Sequence, residues 1–245
     1  MIEQTVDIPT RDGAVTTFIV HPERDGPFPL ILFFMDAPAI REELRDMARR
    51  IACAGYYVML PNLYYRRGVL ELADLPPLPE AEARARMFDL MGSINIPMVM
   101  SDTDALLDFA GRDRAASPGK AGAIGYCMSG QYAINAAARH PERFACAASL
   151  YGVQLVTDRP DSPHLAAQKT GAELYFACAE HDTYAPLEMV EALDASLKSA
   201  NANAEVELYR DVHHGFAFPQ RAVYDKPAAE RHWERLFALF RRNLS

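Results

Sequence analysis

The chain has 245 residues, half of them hydrophobic and 24% charged, the balance of an ordinary globular protein, which argues against a disordered or low-complexity chain. The formal net charge is −8, from 33 acidic and 25 basic residues. That argues against nucleic acid or an anionic membrane surface as partner, since basic patches supply the affinity for both. The length suits one domain over 1–245, with no internal repeat and no linker to divide it.

In chain order, residues 4–8 and 14–20 alternate in polarity and are predicted as a strand pair around the turn Thr10-Arg11-Asp12-Gly13. Residues 29–35 form a continuous apolar run, the pattern of a strand buried on both faces. A helix is predicted over 41–54, with Leu44, Met47, Ala48 and Ile51 on one face and Gly55 as its stop. Residues 56–60 read as the next buried strand. Residues 62–95 are too long for a simple crossover, carry a helix-like stretch over 80–91, and read as an insertion of the kind that often carries function. The alternation then resumes: strand 121–126, helix 129–139, strands 144–150 and 172–179, helix 187–200, strand 205–209 and helix 228–244. Strands alternating with helices predict an α/β fold with a mostly parallel central sheet of about eight strands, helices on both faces and an antiparallel edge from the opening hairpin.

No basic segment precedes an apolar run at the N-terminus, and no apolar stretch reaches the roughly 18 residues of a membrane helix. A cytoplasmic protein with reduced thiols is expected. The four cysteines, Cys53, Cys127, Cys146 and Cys178, include no C-x-x-C pair, which disfavours a zinc or thioredoxin-like motif. Cys53, in the predicted first helix, and Cys146 and Cys178, in predicted strands, read as packing residues.

Cys127 differs. Gly125-Tyr126-Cys127-Met128-Ser129-Gly130 lies between a buried strand and a helix. A sharp strand-to-helix turn displays its central residue in a strained conformation and needs small residues two positions to either side. Gly125 and Ser129 meet that need around Cys127, whose sulfur would sit at a helix N-terminus that favours a thiolate. Two competing readings stand beside it: a cysteine that merely packs, and Ser129 as the displayed nucleophile, which would place the large Gln131 at a flanking position.

A turn of this kind requires an acid and then a histidine further along the chain. Glu180-His181-Asp182 follows the strand 172–179, and Asp211-Val212-His213-His214-Gly215-Phe216 follows the strand 205–209. Catalytic groups gather at this edge of open α/β sheets. Asp182 is the favoured acid, with Glu180 as alternative, and His214 the favoured base, with His213 as alternative. A metal site drawn from His181, His213, His214 and nearby acids is conceivable, but no helical histidine pair supports it. An oxyanion needs two backbone N–H donors, expected at Met128 and at Ala37.

Across nearly its whole length the sequence resembles the dienelactone hydrolases, within the α/β-hydrolase fold. The resemblance is carried by Gly125-Tyr126-Cys127, by Glu180-His181-Asp182-Thr183-Tyr184-Ala185-Pro186 and by His213-His214-Gly215-Phe216. Ala48-Arg49-Arg50, Gly55-Tyr56 and Pro61-Asn62-Leu63-Tyr64 support it. It implies that Cys127, His214 and Asp182 form a triad that opens an ester or lactone through an acyl-enzyme, without metal or organic cofactor. It implies a further acid that helps activate the thiol, at Asp36, where the family usually has glutamate; a loop acid capping the next helix is the plainer reading. It implies substrate contacts at Arg84, Phe88 and Tyr151. Phe218 stands where the family has a second arginine, with Arg221 close by, and Phe88 where a tyrosine is usual. The expected partner is a small lactone or ester, with no nucleic acid and no membrane, bound by a monomer or small homo-oligomer. The alternative is a non-hydrolytic ligand-binding or redox-sensing protein on the same fold; a peptidase is a third possibility without a peptide-binding domain to support it.

Overall fold

The computed structural model describes residues 1–244. Eight strands, mostly parallel, and seven helices among these residues make an α/β fold. The chain divides into two compact units, Met1–Pro118 and the remainder from Gly119 onward.

In the first unit, β1 (Ile2–Thr10) and β2 (Gly13–His21) form an antiparallel hairpin. β2 runs antiparallel to β4 (Tyr57–Pro61), which pairs in parallel with β3 (Leu30–Phe34). Every residue of β3 and β4 is buried, as their unbroken apolar sequence requires. Helix α1 (Glu42–Ala52) buries Leu44, Met47, Ala48 and Ile51, carries Glu42 and Glu43 in its first turn and ends on Arg49 and Arg50, the charge order its dipole favours.

The stretch predicted as one long insertion contains two short 3-10 turns (Tyr65–Arg67 and Leu72–Asp74) and helix α2 (Glu80–Gly92). A further helix, α3 (Ile96–Ala110), follows it and was not predicted. The Asn95 side chain caps it by accepting from Met98 N–H at 3.0 Å, and Pro97 sits in its first turn, where no N–H is needed. Its buried face includes Asp102 and Thr103, which break up the apolar stripe that sequence periodicity detects.

Asp102 explains its own burial. Arg66 grips both its oxygens at 2.7 and 2.8 Å, and the Tyr65 hydroxyl donates to it at 2.8 Å. Arg66 also reaches Asp12 in the hairpin turn, and Tyr65 meets Thr10. Burial pushes the Asp102 carboxyl up and these partners pull it back, with a net rise. Removing one member of a buried ion pair leaves the other uncompensated, at a cost of about 3 kcal/mol. Asp102→Ala is therefore expected to lower unfolding stability by about that amount in urea titration, and Asp12→Ala, at the exposed end of the network, by under about 1 kcal/mol.

In the second unit, β5 (Ala121–Tyr126), β6 (Phe144–Leu150), β7 (Glu173–His181) and β8 (Ala204–His213) are all parallel and pair in that order. Their connections carry α4 (Gly130–Arg139), the short α5 (Pro163–Ala167) and α6 (Leu187–Ser199), and α7 (Lys226–Asn243) closes the chain. β8 runs four residues beyond the predicted 205–209, so that His213 is its last residue and pairs with His181. Cys146 and Cys178 are buried, but Cys53 is exposed just past the end of α1, so it is not a packing residue. No helix among the described residues is long and apolar enough to cross a membrane.

Candidate active site

The turn after β5 is as tight as its sequence demands. Cys127 has φ +55°, a left-handed conformation that side chains disfavour, and opens a single 3-10 turn over Cys127–Ser129 that runs into α4. A Cβ on Gly125 would lie 2.0 Å from the Ser129 carbonyl oxygen. No side chain fits there, so the strand and the helix start can approach only across glycine. Ser129 is fully buried, while Cys127 is partly exposed, so the turn presents the thiol.

The acid lies directly after β7. One Asp182 oxygen accepts from the backbone N–H groups of Tyr184 (2.8 Å) and Ala185 (3.0 Å). The other meets His214 Nδ1 at 2.7 Å, and the Asp182 side chain has no solvent exposure. Glu180 is engaged elsewhere, by Arg210 at 2.6 Å and the Asp211 N–H at 2.8 Å. His213 is exposed, with its ring beside that of His181 at 5.2 Å. Of the two histidines it is His214 that reaches Asp182.

Cys127 also acts on His214, raising its pKa. Burial pulls the imidazole pKa down, but the hydrogen bond to Asp182 and the influence of Cys127 outweigh it and hold it at about 9. Tyr151 and Tyr184 each meet the ring edge-on, with centroids 5.0 Å away. Tyr151 is fully buried and continues into a cluster with Tyr126, Phe216 and Phe218. Fully buried His232 closes that cluster. Its Nδ1–H donates to the Ala229 carbonyl, which leaves Nε2 to accept from the Tyr126 hydroxyl at 2.9 Å. Arg221 lies over the Phe218 ring at 4.6 Å, so close to Gly215 that a Cβ there would stand 2.7 Å from the guanidinium. Tyr184 and His232 carried no sequence signal of a role: the first is one aromatic among eleven tyrosines, the second sits in a helix whose pattern explains it as core.

In the first unit, Asp36 is fully buried and bound through both oxygens by Arg41 at 2.6 and 3.2 Å. Arg41 also holds Glu43. Asp36 does not cap α1, whose N-cap is Arg41 without a side-chain cap. The carbonyl of the next residue, Ala37, accepts from Tyr64 Oη at 3.0 Å. Arg84 and Phe88 come together one turn apart on α2, the exposed guanidinium 5.5 Å from the ring centroid. At the surface of the second unit, ligand atoms of Glu180, His181 and Asp211 lie within 4.8 Å of one another, and His214 is not among them.

Comparison with known proteins agrees with this architecture. The family model described as "Dienelactone hydrolase family" matches residues 15–244. A protein of Escherichia coli (strain K12) named "Putative carboxymethylenebutenolidase" is 28% identical over 240 residues, 96% of this chain and 84% of that protein. A Bradyrhizobium protein named "Probable 2-oxo-3-(5-oxofuran-2-ylidene)propanoate lactonase" is 23% identical over 98% of this chain and 94% of its own. The crystal structure titled as that of a "Putative Dienelactone Hydrolase" from Klebsiella pneumoniae superposes with a TM-score of 0.86 at 26% identity, over 98% of both chains. The fold is that of the α/β-hydrolases, and the chain belongs to the dienelactone hydrolase family and is a hydrolase.

The His214 pKa has a direct consequence for stability. A histidine raised from 6.5 to about 9 stabilises the fold fully below pH 6.5 and loses that contribution as pH rises through 9. The stability difference between wild type and His214→Ala is expected to be flat below pH 6.5 and to shrink steadily up to pH 9 in urea titrations. A flat difference over the whole range would show that the imidazole gains nothing from its two partners.

Proposed function

We propose that this protein hydrolyses a lactone or small carboxylic ester through a Cys127–His214–Asp182 triad and an acyl-enzyme. The observation that carries the reading is His214 itself: Nδ1 bound to Asp182 at 2.7 Å, with Asp182 and Cys127 both raising the imidazole pKa. Nucleophile, base and orienting acid in that relation are what activation of a weak nucleophile requires.

In this reading His214 takes the Cys127 proton, and the resulting imidazolium is stabilised by Asp182. The thiolate attacks the carbonyl carbon, and the carbonyl electron pair moves onto oxygen. The N–H groups of Met128 and Ala37 are the proposed donors to that oxyanion. The intermediate collapses, the C–O bond breaks, and the departing oxygen takes the proton from His214. A thioester remains on Cys127. Water then gives a proton to His214 and attacks the thioester, and the thiolate leaves. In a lactone the leaving oxygen stays attached to the acyl chain, so the first half-reaction opens the ring. Asp36 is assigned to thiol activation, in a position that Arg41 fixes.

Arg84 with Phe88, and Tyr151 with Phe218, are proposed to meet the substrate. Phe218 offers no charge, so Arg84, with Arg221 beside it in role, is the proposed anchor for a substrate carboxylate. Small-molecule turnover in a cytoplasmic monomer or small homo-oligomer completes the reading.

Cys127→Ala is expected to lower turnover of phenyl acetate by at least about a thousandfold, the scale at which a triad member matters. Equal rates in the two proteins would sink the triad. A panel of lactones and esters with and without a free carboxylate provides the second test. Arg84→Ala should lose about tenfold in kcat/KM on the anionic members, since hydrogen bonds to charged groups contribute about 1.5–3 kcal/mol, and little on the neutral ones.

A further inference from the structure

The peptide that joins Cys127 to Met128 is held by its carbonyl from two places. The Cys127 carbonyl accepts from the Gly130 N–H, which closes the 3-10 turn, and from the Val153 N–H at 3.2 Å, in the loop that follows β6. In a trans peptide the carbonyl and the N–H lie in one plane and point in opposite directions. Whatever fixes the Cys127 carbonyl therefore fixes the aim of the Met128 N–H, the proposed oxyanion donor. A carbonyl that accepts hydrogen bonds also polarises its peptide, which strengthens that N–H as a donor.

The turn makes the first of these bonds by its own geometry, whereas the second has to be brought in. Val153 reaches the turn because two glycines let the loop come close. A Cβ on Gly130 would stand 2.8 Å from Gly152 Cα, and one on Gly152 would stand 3.3 Å from Gly130 Cα and 2.1 Å from Ser149 Oγ. No Cβ fits at 152 while Ser149 keeps its place. Ser149 is buried near the end of β6, and its hydroxyl has no hydrogen-bond partner among the described residues, so it acts there as a spacer against both glycines. The chain bends sharply on either side of Gly152–Val153. Tyr151 (φ +38°) and Gln154 (φ +55°) both take left-handed conformations that side chains disfavour. Tyr151 is tied down by its N–H, which donates to the Ala177 carbonyl at 2.6 Å. Backbone strain of this kind clusters where function needs a fixed geometry.

We propose that Gly152 and Val153 are positioning residues: Gly152 admits the loop to the turn, and the Val153 N–H holds the Cys127–Met128 peptide so that its N–H meets the oxyanion. This rests on the ester-hydrolase reading above and adds to the oxyanion site a loop outside the triad. Val153 acts only through that peptide, so its loss weakens the transition state and leaves the thiol reactive.

The test separates addition to a carbonyl from simple alkylation. With 2,2,2-trifluoroacetophenone the Cys127 thiolate adds to the ketone carbon and the carbonyl electron pair moves onto oxygen, which calls on the oxyanion site. With iodoacetamide the thiolate displaces iodide and no oxyanion forms; mass spectrometry follows that reaction at Cys127 alone. Gly152→Ala is expected to lower kcat on phenyl acetate and to weaken ketone inhibition, each roughly ten- to a hundredfold, as a displaced donor does, with KM and the alkylation rate within about twofold of wild type. Val153→Pro, which deletes the N–H itself, should give the same pattern. Ser149→Ala removes the atom that a Cβ at 152 would strike. The double variant Ser149→Ala with Gly152→Ala should therefore lie within about threefold of Ser149→Ala alone in kcat and in ketone inhibition. Ketone inhibition unchanged in Gly152→Ala and Val153→Pro, alkylation that falls in step with it, or a double variant as impaired as Gly152→Ala would each overturn the assignment and leave the triad standing. Ketone inhibition that survived in Cys127→Ala would instead fell the triad.

Discussion

A side chain at residue 125 would have no room. The Ser129 carbonyl oxygen lies 2.0 Å from where its first carbon would be, and from that approach the rest of the site follows. Because the strand and the helix start nearly touch, the chain must reverse within a single 3-10 turn, and Cys127 takes the left-handed conformation that closes it. Such a conformation costs about 1–2 kcal/mol in a residue with a side chain. It persists because what flanks it cannot yield: every residue of β5 is buried, and α4 is buried along eight of its ten residues. The thiol is thus held by backbone and packing alone, before any charge is considered.

The acid and the histidine are held in a different way. Asp182 divides its two oxygens, one to the loop through two backbone N–H groups and one to the imidazole. The loop bonds fix the carboxylate, and the fixed carboxylate orients the ring. The same geometry accounts for the choice of residue. Glu180 lies still within β7, on the course of the strand, and is drawn to Arg210 and the Asp211 N–H on the neighbouring strand end. Only the residue just past the strand can fold back on its own loop and still face His214.

How much of this could be read from the sequence depended on whether a feature was local. Buried parallel strands announce themselves as unbroken apolar runs, and the glycine before Cys127 announces a turn, because both are demands of neighbouring residues on each other. Helix α3 was hidden because its buried Asp102 is satisfied by Arg66 and Tyr65, some 36 residues earlier in sequence, so its polar residue looked like surface. Cys53 looked like a core residue by its type, yet the helix stops one residue before it and leaves it outside.

The aromatic cluster behind His214 explains one departure from the family pattern. Phe218 is fully buried, its ring 5.4 Å from that of Tyr126 and 6.1 Å from that of Tyr151. Tyr126 is in turn tied by its hydroxyl to His232, which has no exposure. A guanidinium at 218 would have to be desolvated among these rings, a cost of several kcal/mol without an acid to pair with. Here the positive charge lies instead on the face of the ring, where Arg221 stacks at 4.6 Å and keeps contact with water. Cation and ring attract each other in that position, and the small Gly215 beside His214 makes the room for it. The loop that begins at His214 thus combines an apolar interior with a cation on its rim.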